Sequence, residues 1–179
     1  MKKLCVFASG SGSNFEAIAR EIHVSLLVCD KPKAAVIERA KRLKIPFFLV
    51  NTKKPREDYE ADIIKKLNEH GIQFIALAGY MRLIGETLLN AFENKIVNIH
   101  PSLLPSFAGK DGIKQAFDYG VKITGITVHY VDSGIDTGKI IEQAAVEVTN
   151  EDTLETLSEK IHKEEHKLYS KVLKNILIK

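Results

Sequence analysis

Short apolar runs rich in Val, Ile, Leu and Phe alternate with amphipathic stretches along nearly the whole chain. The runs at residues 4–8, 26–29, 47–50, 74–78, 96–99, 126–131 and 140–148 are brief enough to be buried strands. Helical patterns separate the first five. Residues 33–43 place Val36, Ile37, Ala40 and Leu43 on one helical stripe, and residues 56–70 do the same with Tyr59, Ile63, Ile64 and Leu67 until Gly71 stops the pattern. Strands alternating with such helices predict an α/β fold: a doubly wound, mostly parallel twisted sheet of about seven strands with helices on both faces. The last two runs follow one another without a clear helix between them, so an antiparallel or hairpin-like edge is expected. Beyond them, Asp152-Thr153-Leu154-Glu155 reads as a capping box. Leu154, Leu157, Ile161, Leu168, Val172 and Ile176 then share one face of a long closing helix.

Composition narrows the class. At 179 residues, 45% hydrophobic and 27% charged, the chain belongs with ordinary globular proteins and should form one domain, 1–179, with no linker or repeat dividing it. Cys5 and Cys29 each lie inside an apolar run without metal-site or disulfide spacing, which points to packing roles and a reducing, cytoplasmic compartment. The apolar stretch after Met1-Lys2-Lys3 gives way at Ser9-Gly10, too short for a signal peptide, and nothing approaches a membrane span. A net charge of +3 gives no reason to expect nucleic acid.

Three places carry candidate chemistry. Ser9-Gly10-Ser11-Gly12-Ser13-Asn14 follows the first strand and precedes a helical pattern with Phe15, Ile18 and Ala19. Small residues there let backbone N–H groups approach a phosphate, helped by the helix dipole; the plainer reading is a tight turn capped by Asn14. Gly10, Gly12 and Asp30 imitate part of a dinucleotide fingerprint, but Phe15 stands where that fingerprint needs Gly or Ala for close helix–strand packing. A single terminal phosphate fits best. The second place is Asn98-Ile99-His100-Pro101. Residues two apart on a strand share a face, so Asn98 and His100 should project together from a carboxyl end, where doubly wound folds bind ligands. An isolated strand-end His is commonly structural; paired with Asn, it supplies the oxyanion donor and proton carrier of acyl transfer. The third is the loop Val131-Asp132-Ser133-Gly134-Ile135-Asp136-Thr137-Gly138, either an Asx-capped turn or a carrier that holds Asp136 beside His100 to orient the ring and raise its pKa.

Two further signals are softer. Nine basic residues between Lys31 and Arg56 face a single acidic one, Glu38, and read as a solvated helical face or a collector of anions. Glu165 falls on or beside the apolar stripe of the last helix, as a pocket residue or a snorkelling edge.

Together these segments, with Ala78-Gly79-Tyr80-Met81-Arg82, Asn98-Ile99-His100-Pro101-Ser102-Leu103-Leu104-Pro105 and Gly125-Ile126-Thr127-Val128-His129-Tyr130-Val131, resemble the folate-dependent formyltransferases over nearly the whole chain. The Ser/Gly loop and compact length resemble the members that formylate glycinamide ribonucleotide in purine synthesis. The resemblance implies 10-formyltetrahydrofolate as formyl donor, no metal, and catalysis by Asn98, His100 and Asp136. It further implies ribonucleotide phosphate on Ser11, Gly12, Ser13 and Asn14, the ribonucleotide on Glu165, and folate against Met81, Arg82, Leu83 and Ile84. On this view the first part, about 1–100, binds phosphate and the second, about 101–179, completes the folate and catalytic site. Small-molecule substrates are then the partners, with neither nucleic acid nor membrane. Ala108, Lys110-Asp111 and Lys139 depart from the family pattern and leave the loop at 106–112 open.

Overall fold

The computed structural model describes residues 1–178. Strands β1 (Leu4–Ala8), β2 (Val24–Cys29), β3 (Phe47–Leu49), β4 (Phe74–Leu77), β5 (Ile96–His100), β6 (Ile123–Tyr130) and β7 (Ile140–Glu147) form one sheet in the order β3-β2-β1-β4-β5-β6-β7. The first five are parallel neighbours and β6 and β7 are antiparallel, as the missing helix between the last two runs predicted. Winding proceeds outward from β1 through β2 to β3, then resumes at β4 on the other side of β1. The strand order therefore reverses between β1 and β4, which opens a crevice at their carboxyl ends.

Helices α1 (Ser13–Glu21), α2 (Ala35–Arg42), α3 (Arg56–Glu69), α4 (Glu86–Ala91), α5 (Gly112–Tyr119) and α6 (Leu154–Ile178) complete the fold. Alternation along the strands feeds two cores. Leu4, Val6 and Ala8 of β1 pack with Phe15 and Ile18 of α1, Val36 of α2 and Tyr169 of α6. Cys5 and Phe7 face the opposite way and pack with Tyr59, Ile63 and Leu67 of α3 and Leu88 of α4. Both cysteines are buried free thiols. Tyr169 is fully buried, and its hydroxyl lies 2.9 Å from the Leu77 carbonyl and 3.1 Å from that of Val97. Burial pushes this phenol far up in pKa, with the Glu165 charge adding to the effect, so it remains a donor to the end of β4 and the first half of β5.

Helix α5 is an element that periodicity did not reveal. It has eight residues, with Ile113, Ala116 and Phe117 toward the core, and lies between backbone reversals at Asp111 (φ 57°) and Gly120 (φ 82°). So short a stripe gives little signal. Strand β6 also begins three residues earlier than its apolar run, at Ile123.

The capping box is real but shifted by one residue. Thr153 Oγ1 accepts from the Thr156 N–H at 3.2 Å and Thr156 Oγ1 accepts from the Thr153 N–H at 3.0 Å, while Asp152 Oδ2 binds the Thr149 N–H and Lys160. Thr153→Ala should cost about 1 kcal/mol through the lost cap, lowering the melting temperature by roughly 2–4 °C for a chain of this size. Calorimetry checks it.

Candidate active site

The glycine loop is shaped by packing before any ligand is considered. Gly12 is the N-cap of α1 at φ 78°, and no side chain caps this helix end. A β-carbon on Gly12 would come within 2.5 Å of Val36 Cγ2 and 2.9 Å of the Val36 backbone, so α2 and the left-handed φ both require glycine. The Gly10 carbonyl accepts from the Val36 N–H, and Arg39 Nε donates to the Ser11 carbonyl at 2.7 Å. The expected cap, Asn14, turns elsewhere: its amide donates to Glu165 Oε2 at 3.2 Å, leaving Asn14 Oδ1 buried without a partner. Helix α1 thus presents the unpaired N–H groups of its first turn at the carboxyl end of β1.

Glu165 is only 4% exposed, which settles its position as inward rather than snorkelling. His162 Nδ1 donates to the same Oε2 at 2.8 Å, and this bond raises the His162 pKa. The basic stretch is not simply a solvated face. Arg39 and Arg42, with Arg20, converge on the largely buried Glu16, while Lys41 pairs with Glu38 and Lys54 with Asp62.

At the far side of the crevice, β5 and β6 bring the second and third segments together. Their antiparallel register sets Asn98 opposite His129 and His100 opposite Thr127, so all four share a face. Asp136 joins them from the β6–β7 loop. Its Oδ2 lies 3.3 Å from His100 Nδ1 and accepts from the Gly109 N–H at 2.9 Å; its Oδ1 lies 3.4 Å from both Asn98 Nδ2 and His129 Nε2. The Asx turn also exists, but Asp132 makes it, accepting from the Gly134 N–H and the Thr137 hydroxyl. Gly138 completes the loop where a β-carbon would strike the Tyr130 carbonyl at 1.8 Å.

His100 is buried, and its Nε2 donates to the Phe107 carbonyl at 2.9 Å. Each of its ring nitrogens therefore faces an oxygen, an arrangement that the doubly protonated ring satisfies. His129 is a member of the cluster to which sequence reasoning gave no role. Its Nδ1 donates to Tyr130 O at 2.8 Å, and Nε2 lies 3.3 Å from the Asn98 amide. A neutral ring accepts from Asn98; a protonated ring donates to Asp136. The signal available was strand alternation, since Thr127 and His129 stand two apart. Thr127 acts as a brace, donating to Ser102 O and accepting from the Leu104 N–H and Gln143.

Burial pushes the Asp136 carboxyl up, yet the hydrogen bonds from His129 and Gly109 and the two nearby imidazoles outweigh it and hold the pKa below the ordinary value. The departures at Ala108, Lys110, Asp111 and Lys139 all fall on exposed residues, while Gly109 makes the loop's contact with Asp136.

Residues 81–84 follow β4 beside this cluster, because Leu77 pairs with Asn98. Met81 and Leu83 are exposed apolar side chains at 66% and 54%, and Ile84 packs on the second core. Arg82 is occupied: its Nε donates to Asp30 Oδ2 at 3.0 Å, and its guanidinium lies 5.8 Å from the centre of the Tyr59 ring.

The doubly wound sheet, open helix terminus and Asn–His–Asp cluster are accompanied by direct similarity to known proteins. The chain belongs to the formyl transferase family, whose model matches residues 2–173. It is 55% identical to the phosphoribosylglycinamide formyltransferase of Bacillus subtilis (strain 168), an alignment that covers 99% of this chain and 95% of that protein. The phosphoribosylglycinamide formyltransferase of Streptococcus pneumoniae TIGR4 superposes with a TM-score of 0.96 at 46% identity, covering 98% of this chain and 99% of the other. Glycinamide ribonucleotide transformylase 1 of Geobacillus kaustophilus does so with a TM-score of 0.95 at 53% identity, covering 99% of each chain.

Two measurements test this geometry. Gly12→Ala should destabilise the fold by at least about 1–2 kcal/mol, the cost of a left-handed non-glycine residue, with the Val36 clash added; urea unfolding reads it. Asp136 has a lowered folded-state pKa, so its stabilisation is complete above the usual carboxylate range and disappears as pH falls through the folded value. The difference in melting temperature between wild type and Asp136→Asn should therefore shrink as pH is lowered from about 6 to about 2.

Proposed function

We propose that this protein transfers the formyl group of 10-formyltetrahydrofolate to the amine of glycinamide ribonucleotide, forming formylglycinamide ribonucleotide and tetrahydrofolate in purine biosynthesis. One observation carries the reading: Asn98, His100 and Asp136 meet in a part-buried cluster at the carboxyl half of β5, in a chain 55% identical along its length to an enzyme of that activity.

The uncapped first turn of α1, with Ser11, Gly12, Ser13 and Asn14, takes the terminal phosphate. Asn14 Oδ1 is a buried acceptor without a partner, and with the Glu165 carboxylate it suits the hydroxyl donors of a ribose. Met81, Leu83 and Ile84 offer an apolar wall for the folate, and Arg82 secures the wall through its bond to Asp30. Residues from both halves of the chain build the site, with the phosphate loop in about 1–100 and the catalytic loops in about 101–179. The two free buried thiols support a cytoplasmic setting. Among the described residues, no helix is long and apolar enough to cross a membrane.

The donor brings a formyl carbon bonded to nitrogen; attack by the acceptor amine puts negative charge on the formyl oxygen. Asn98 Nδ2 and the His100 ring donate to that oxygen, in the case of His100 by exchanging the Phe107 carbonyl for it. Asp136 stabilises positive charge on His100 and passes the amine proton, through water, toward the departing folate nitrogen. Acyl transfer of this kind forms no covalent bond to the enzyme and calls for no metal.

The decisive assay follows deformylation of the folate donor by absorbance with and without glycinamide ribonucleotide. Turnover should require the acceptor; equal turnover without it would identify a hydrolase, and none at all a binding module. Asp136→Asn should lower kcat by roughly two to four orders of magnitude, the usual range for a lost acid–base partner, with ribonucleotide KM nearly unchanged. His100→Ala and the double variant should be equally slow, because both act in one unit. Multiplicative losses would show separate roles.

A further inference from the structure

Asp30 ends β2 with its side chain 2% exposed, and none of the catalytic steps uses it. Its position imitates the ribose-binding acid of dinucleotide folds, yet both its oxygens are engaged from within the chain. Oδ1 accepts from the Ser9 hydroxyl at 2.5 Å and Oδ2 from Arg82 Nε at 3.0 Å. Ser9 Oγ in turn accepts from the Met81 N–H at 2.9 Å, and the Ser9 N–H donates to the Gly79 carbonyl at 3.1 Å. The backbone of residue 81 and the side chain of residue 82 are thus both held by one carboxylate, directly on one side and through a serine on the other.

We propose that Asp30 is a positioning residue for the folate substrate, acting through Ser9 and Arg82 to fix the apolar wall at residues 81–84. This rests on the reading of that segment as the folate wall. The physical reason is the left-handed Gly79 (φ 72°) just before the segment. After Gly79 the chain leaves the sheet, and Met81 and Leu83 remain exposed, so packing alone holds them weakly. Two polar restraints at consecutive residues replace the missing packing. A buried carboxylate binds its donors more tightly than a neutral acceptor does, and the Arg82 guanidinium is held further by the Tyr59 ring. The glycine loop, which also begins at Ser9, has its own anchors in Val36 and Arg39, so the effect falls on one substrate.

Asp30→Asn, Ser9→Ala and Arg82→Gln, compared with wild type in steady-state kinetics with both substrates varied, test the proposal, and thermal melting identifies any variant that fails to fold. Each should raise the folate KM roughly tenfold, the loss expected for one charge-assisted hydrogen bond, with the ribonucleotide KM changed less than about twofold. Ser9→Ala combined with Asp30→Asn should be little worse than Asp30→Asn alone, since the serine acts through the carboxylate. Equal rises in both KM values, or lowered stability with both unchanged, would overturn the role. Leu83→Asp separates the two layers of the argument by charging the wall directly. If it weakens folate and the other variants do not, the wall reading stands and Asp30 is merely structural. If Leu83→Asp leaves the folate KM unaltered, the wall reading falls and the role of Asp30 falls with it.

Discussion

The site depends on the change of strand direction between β5 and β6. Parallel pairing from β3 through β5 builds two covered faces, as buried parallel strands require. Antiparallel pairing at β6 sets Asn98 against His129 and His100 against Thr127, and gathers polar side chains on one surface of the sheet. Those side chains need partners once removed from water, and the return loop between β6 and β7 supplies one in Asp136. The Ser102–Leu104 segment supplies others, bonded to Thr127 and through it to Gln143.

Helix α6 links this edge to the rest of the molecule. Its Tyr169 hydroxyl reaches the Leu77 carbonyl at the end of β4 and the Val97 carbonyl within β5, and one turn earlier Glu165 reaches Asn14 at the start of α1. The same helical face therefore contributes core and site. A shift of α6 along its axis would move the carboxylate at the glycine loop and the phenol at β4 and β5 together.

How much was legible in the sequence follows from how local each cause is. The strands were legible because burial on both faces leaves short unbroken apolar runs, and the long last helix because burial of one face imposes a period of 3.6. Asn98 and His100 were legible as a pair because side chains two apart on a strand share a face, and the glycine loop because Gly12 answers a local backbone need. The meeting of His100 with Asp136 is a product of topology, since β6 and the loop after it must first return alongside β5. His129 showed nothing distinctive until its register partner was known. Asp30 resembled a free ribose-binding acid because its partner Arg82 lies 52 positions away. Arg39 and Arg42 looked like solvated charge because Glu16 belongs to a different helix.

That last cluster has a consequence for how an anion meets the protein. Glu16 stands one turn into α1 and binds Arg39 and Arg42 of α2 together with Arg20 from the last turn of its own helix, so these cations are partly neutralised within the chain. Arg39 uses its Nε on the loop's own Ser11 carbonyl, acting as scaffold more than as lure. On the proposed reading, attraction for the ribonucleotide phosphate then comes mainly from oriented backbone N–H groups, whose pull is short-ranged and directional, with less of the long-range field that free guanidinium groups would cast. On that reading a phosphorylated product leaves without having to break a bidentate arginine clamp.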